Sequence, residues 1–302
     1  MYELFLTALV EDSDFEAACA FLCGFCDMRL PWEKVDRVLY FQGPPQPAGI
    51  TNQSSIEKRF MRKDTALLWK ELHQNLSRQS CILQARYEVD KELDLEPTGS
   101  PMDLDNLQGV LRWADFPDPP HGRPLITQRK TVEIWEQEKL PSILRDNNFR
   151  YRCVVVVHDP RLITDFCNRF KTEVLEESYY FFRGDVRFVL LRHLFTRGIE
   201  DYTPLEARGG QQPAPATMLS AWEATTPVDS QKRWFLLVKR HVVQDNNPDE
   251  IRKAQDQLLS IRGELEGAFE FRAIDRKVHD TRIAQQQQGI QALPQKVMLG
   301  KT

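Results

Sequence analysis

A chain of 302 residues, 41% of them hydrophobic, holds enough apolar material for one large or two ordinary domains. Its net charge of −4 argues against the basic footprint of a nucleic-acid-binding surface, and six cysteines in so long a chain argue against a dense disulfide framework. No apolar run approaches the roughly 20 residues of a membrane-spanning helix, and no basic region precedes the first apolar residues. The expectation is a soluble, reduced, intracellular protein.

Tyr2 to Val10 alternates as a strand, with Leu4, Leu6, Ala8 and Val10 on one face. A helix follows: Ser13 and Glu16 have the spacing of a capping box, and Phe15, Ala18, Cys19, Leu22, Phe25 and Cys26 form an apolar stripe. Val35 to Gly43 reads as a second strand, stopped by Pro44-Pro45. The polar stretch from Pro44 to Asp64 reads as a solvated loop, despite the basic cluster at 58–63. A short helix is expected over Leu67–Leu76 and a strand over Ser80–Val89. Leu93 to Pro124 is proline-rich and acidic, with only Gly109 to Ala114 ordered, as an edge strand.

Ile126–Trp135 and Tyr151–His158 are further strands, with a helical turn at Leu140–Arg145 between them. The strongest signal is Tyr179 to Phe195, where Gly184-Asp185 separates two apolar, aromatic-rich runs. Gly in the first position of a two-residue loop suits a type II′ turn, and neither face of the ribbon is cleanly polar, so both faces should be covered. Thr203 to Gln231 reads as a mobile excursion. Arg233–Val243 is a strand leading into a helix capped by Asn247, with Pro248 in its first turn and Glu250 completing a capping-box pattern. Ala268 to Ile274 is read as a last strand. Strands outnumber helices without regular βαβ units, which favours an α+β, predominantly β fold: one antiparallel barrel or sheet with two flanking helices. The organisation expected is a single domain over 1–283, with loop insertions near 44–66, 93–124 and 203–231, and a low-complexity tail over 284–302.

Chemical motifs are sparse. Cys19, Cys23 and Cys26 have the C-x3-C-x2-C spacing of an iron–sulfur site, but on an amphipathic helix they read as small core residues. His73, His121, His158, His193, His241 and His279 lack metal-ligand spacing, and no phosphate-cradling glycine loop or nucleophile elbow is present. A barrel that hydrolyses triphosphates carries E-x-E-x-K on one strand, because period two puts all three side chains into the lumen. Glu3, Phe5 and Thr7 keep only the first carboxylate. Glu264, Glu266 and Ala268 lose the lysine, and Glu88, Asp90 and Glu92 offer three acids and no cation. The alternating pairs Arg150/Arg152 and Arg169/Lys171 suit phosphate but read more simply as solvent-facing strand residues. No catalytic, cofactor-binding or metal-binding residue is therefore assigned.

Five segments in order carry a resemblance: YELFLTA at 2–8, VLYFQGPPQP at 38–47, LLWKELHQNLSRQS at 67–80, YYFFRGDVRF at 179–188 and AQQQQGIQALPQ at 284–295. Together they resemble the Mediator subunit 18 family of filamentous-fungal type, in the coactivator that links transcription factors to RNA polymerase II. The resemblance implies an antiparallel β-barrel similar to the triphosphate-tunnel (CYTH-like) barrels but without their catalytic carboxylates. It further implies a nuclear, non-catalytic scaffold with no cofactor, no membrane contact and no sequence-specific nucleic acid. The partners implied are Mediator subunit 20, as a second barrel, and the C-terminal helix of Mediator subunit 8. The alternative is a metal-dependent triphosphate hydrolase on the same barrel.

Overall fold

Apolar residues occupy both faces of most strands in this chain, and the fold satisfies both by closing the sheet. The structure, a computed structural model, describes residues 1–42, 81–95, 101–118, 125–141, 169–196, 215–243 and 247–273. Its strands are β1 (Tyr2–Val10), β2 (Trp32–Gln42), β3 (Cys81–Glu88), β4 (Gly109–Asp115) and β5 (Thr127–Gln137), then β6 (Arg169–Arg183), β7 (Val186–Phe195), β8 (Thr226–Pro227) and β9 (Trp234–Val242). They run β6-β2-β3-β4-β5-β1-β9-β7, and β7 pairs back onto β6, so eight antiparallel strands form a closed barrel. The short β8 is an appendage on β7. Closure removes the sheet edges that would otherwise invite aggregation.

The central hairpin is β6–β7, in register from Arg183↔Val186 to Leu175↔Leu194. Gly184 has φ +57 and Asp185 does not share the positive φ, as a II′ turn requires. A different glycine demand arises at Gly109. A Cβ there would lie 2.8 Å from both the Arg86 carbonyl oxygen and the Tyr87 ring, so only glycine lets β4 start so close to β3.

Two helices cover one sector of the outer wall, α1 (Phe15–Phe25) and α2 (Pro248–Glu264). Leu4, Leu6 and Ala8 of β1, Phe188 and Leu190 of β7, and Leu236 and Val238 of β9 pack under Leu22 of α1 and Ala254, Leu258 and Ile261 of α2. Each large side chain buried this way contributes about 1.5–3 kcal/mol. Trp234 stacks on Phe15 with ring centroids 4.0 Å apart and donates its indole N–H to Asp12 Oδ1 at 2.9 Å, which ties the entry of α1 to β9. A second cluster joins Leu39, Leu83, Leu111, Trp113 and Ile134 to Leu104 and Leu140.

A third cluster sets Val35, Leu175 and Leu194 beneath Leu95, Leu219 and Trp222. Here the second half of the anticipated excursion proves to be packed rather than loose. The Trp222 N–H donates to the Leu95 carbonyl (3.0 Å) and the Met102 N–H to the Thr217 carbonyl (2.9 Å). Arg37, fully buried on the outer wall, donates to Glu173 from Nε (3.0 Å) and Nη2 (2.5 Å) and to the Ala216 carbonyl (2.6 Å), and the Ala216 N–H donates to Glu173 (2.9 Å). This network clamps the strap of residues 215–224 to the barrel.

Other expectations need correction. Gly109–Asp115 is no edge strand: β3 and β5 flank it, because closure leaves no edge there. The Ser13 capping box does not form. A 3-10 turn over Asp12–Asp14 begins the helical path one turn early, and Ser13 donates to Asp14 instead. Asn247 does cap α2, accepting from the Asp249 N–H at 3.1 Å, but Glu250 pairs with Lys253 rather than reaching back. Of Ala268–Ile274, the described residues form only a bridge, Ala8↔Phe271, on the edge of β1 opposite β9. The expected elements at Leu67–Leu76 and Tyr151–His158, the loop at 44–66 and the tail lie outside the described residues. No helix among the described residues is long and apolar enough to cross a membrane.

The barrel lumen as candidate functional site

With every second strand residue committed to the outer clusters, the intervening residues point inward and line a cavity of about 440 Å³. β1 sends in Glu3, Phe5 and Thr7, so period two operates as the sequence suggested, but only the first of the three is a carboxylate. Glu3 is 1% exposed and is surrounded by basic side chains. Arg129 Nε lies 2.6 Å from it, Arg112 Nη2 3.0 Å, Lys239 Nζ 3.3 Å and His241 Nε2 3.7 Å. Burial alone would push the Glu3 carboxyl upward. Arg129, Lys239, Arg112 and His241 together outweigh it and hold the group well below the usual carboxylate range.

A second cluster sits on the neighbouring wall. Glu176 of β6 accepts from Arg86 at 2.5 Å and lies 3.2 Å from His193 Nε2; Arg86 also reaches Asp36 at 2.9 Å, and Lys34 binds Asp36 at 3.0 Å. Burial works against ionised Glu176, but Arg86 and His193 win and keep its carboxyl well below the ordinary range. Arg112 lies between the two clusters, with Nε 3.0 Å from Glu133. The cations carry the strain of this crowding. Burial, aided by repulsion from Arg112 and Arg129, overrides Glu3 and pushes Lys239 below its usual value. The inner wall is thus an ion-paired lattice with cations in excess, in which Glu3, Asp36, Glu133 and Glu176 each face at least one cation.

The remaining sequence candidates fall elsewhere. Glu264 closes α2 and binds Arg183 at 2.6 Å, and Glu266 lies in the turn beyond it. The proposed Glu264–Glu266–Ala268 strand does not exist, because the α2 pattern runs through to Glu264. Glu88 ends β3 and Asp90 and Glu92 occupy the following exposed turn, so they do not alternate into the lumen. Cys19, Cys23 and Cys26 pack in the cluster beneath α1 as free thiols, and burial pushes Cys19 and Cys26 up to about 11. Among the described residues no three His, Cys, Asp or Glu side chains converge in a metal-holding arrangement. Arg150 and Arg152 lie outside the described residues.

Sequence reasoning passed over the lumen's actual members, Arg86, Arg112, Arg129, Glu176 and Lys239. For Arg112 the signal was present, as a single charge at inward parity in the otherwise apolar run VLRWA. What period two alone does not reveal is which strands meet across a barrel.

An eight-stranded antiparallel barrel with helices against one outer sector and a self-paired ionic interior defines the class of this protein. Within that class, the Med18 protein family matches residues 2–282, and the chain belongs to that family: it is a subunit of the Mediator coactivator of RNA polymerase II transcription. Among solved structures, it is similar to a chain of the Schizosaccharomyces pombe Mediator head module, at 14% identity and a TM-score of 0.53, covering 90% of this chain and 98% of that one. A Hippeastrum protein with a dominant triphosphatase activity is similar at 11% identity and a TM-score of 0.41, over 97% and 98% of the two chains. The PH1012 protein from Pyrococcus horikoshii follows at 10% identity and a TM-score of 0.39, over 89% and 94%. No curated protein matches the chain significantly.

Proposed function

We propose that this chain acts in the nucleus as a non-catalytic, protein-binding subunit of the Mediator head module, pairing with Mediator subunit 20 and taking the C-terminal helix of Mediator subunit 8. Its working unit is one barrel domain over 1–283, followed by the tail at 284–302. The observation that carries the non-catalytic reading is the state of the inner wall. A tunnel that handles a metal-bound triphosphate needs alternating carboxylates with free lone pairs. Here Phe5 and Thr7 stand where β1 would supply the second carboxylate and the lysine, and Glu3 is already engaged by three cations, with His241 beside them. Recruiting Glu3 to a metal would strip Arg129 of its partner inside a buried wall, which costs several kcal/mol.

The test is co-expression of the chain with Mediator subunits 8 and 20 from one source organism, followed by pull-down. Phosphate release from a nucleoside triphosphate with Mg²⁺ or Mn²⁺ is measured on the same preparation. A stable three-component complex and background phosphate release are the expected results. Failure to assemble, together with metal-dependent hydrolysis that Glu3→Gln abolishes, would reverse the reading in favour of a hydrolase.

A further inference from the structure

The hairpin end of the barrel displays aromatic rings that the fold itself does not use. Trp32, at the start of β2, is 59% exposed, Phe182 at the end of β6 is 37% exposed, and Leu30 just before β2 is 73% exposed. Trp32 pairs in register with Tyr180, and the ring centroids of Trp32, Tyr180 and Phe182 lie 6.0 to 6.4 Å apart, with Tyr180 and Phe182 near parallel at 11°. The Arg187 guanidinium sits against this ladder, 6.0 Å from the Tyr180 centroid and 5.8 Å from that of Phe182. Contiguous apolar surface of this kind is uncommon on a free protein, and Trp, Tyr and Arg are the side chains that most often dominate binding energy.

The charge around the ladder selects its occupant. Among the described residues no carboxylate forms an ion pair with Arg187, and acids elsewhere at the hairpin end have other partners. Asp185 faces Arg240 at 3.7 Å, Glu264 binds Arg183, and Glu33 is engaged by Lys91. Behind the ladder, the cavity wall carries eight Lys and Arg against five Asp and Glu, in a chain whose net charge is −4. A planar guanidinium held by two rings is preorganised for a carboxylate, and it loses little side-chain entropy on pairing.

We propose that this face docks an acidic peptide segment of a partner protein, which lays an aromatic or branched aliphatic anchor on Trp32 and Leu30 and sets a carboxylate against Arg187. The inference stands apart from the pairing with subunits 8 and 20, and its test uses neither. The full chain is titrated with a synthetic peptide alternating Asp with Phe and Leu, with its Lys-for-Asp counterpart, and with a single-stranded oligonucleotide, while tryptophan fluorescence is followed. The acidic peptide alone is expected to bind. Arg187→Glu should weaken it roughly tenfold or more, the worth of one charge-assisted contact. Arg187→Lys should fall between, since it keeps the charge and loses the fork. Trp32→Ser should weaken binding by a similar factor, whereas Met218→Ala, in the strap of residues 215–224 and 48% exposed, should leave it unchanged. Thermal melts confirm that each surface variant is folded. Equal binding of both peptides, indifference to Arg187→Glu and Trp32→Ser, a loss in Met218→Ala as large as theirs, or preference for the oligonucleotide would each overturn the proposal.

Discussion

On β1, Leu4 and Leu6 press outward beneath two helices while Glu3 and Phe5, offset by one residue, face the lumen. Both walls are buried, yet they are held by unlike means. The outer wall gains from removing apolar surface from water, a term that is nondirectional and tolerant of small shifts. The inner wall gains almost nothing net from its ion pairs, because desolvation offsets attraction, but it loses heavily if one partner is removed. Stability in this barrel is therefore supplied from outside, and the lumen sets conditions on which sequences are tolerated.

The sharpest test of that division is truncation on the outer wall. Phe188→Ala, which empties a fully buried site under α1, should cost about 4 kcal/mol, read from the midpoint of urea unfolding. On the inner wall, Glu3→Gln should cost about 3 kcal/mol, because Arg129, Arg112 and Lys239 remain buried around a neutral amide. If Glu3→Gln is neutral, the lattice is slack and the contrast between the walls collapses.

The same variant should change the response to acid. Glu3 and Glu176 have folded-state values below those of the unfolded chain, so their contribution is complete above the unfolded carboxyl value of about 4.3 and is lost as pH falls beneath it. Unfolding midpoints measured from pH 7 down to pH 3 should drop for the parent protein and drop less steeply for Glu3→Gln. An unchanged slope would mean that Glu3 does not titrate against folding.

Two substitutions that touch neither wall set the scale. Gly184→Val has open space for its side chain, so its cost is backbone strain alone at φ +57, about 1–3 kcal/mol by thermal melt. Asn247→Ala removes the cap of α2 and should cost about 1 kcal/mol, the smallest of these effects.

The elements most legible in the sequence were those whose signal is local. The β6–β7 hairpin announced itself through Gly184-Asp185 and the two aromatic runs, α2 through Asn247-Pro248, and β1 through Leu4, Leu6 and Ala8. The Mediator family was legible too, from ordered segments rather than from any motif. What stayed hidden depended on distant partners. Gly109–Asp115 looked like an edge because its neighbours are far apart in sequence, and Arg37 gave no sign that it would be fully buried against Glu173 and residue 216. The lumen escaped for the same reason. Glu3 is a lone acid in a strand until Arg129, Arg112 and Lys239 arrive from three other strands.

The way the barrel closes also constrains when it can fold. β1 is made first, but its partners are β5 and β9, and the β1–β9 ladder from Tyr2↔Val242 to Val10↔Trp234 spans most of the chain. At 5–20 residues per second, synthesis leaves β1 without β9 for on the order of ten seconds or more. During that interval Leu4, Leu6 and Ala8 lack both their helices' full cover and one of their two neighbours, while the local β6–β7 hairpin can already form. Ring closure is then a late event, and the exposure that precedes it falls on the first of these strands rather than on the last.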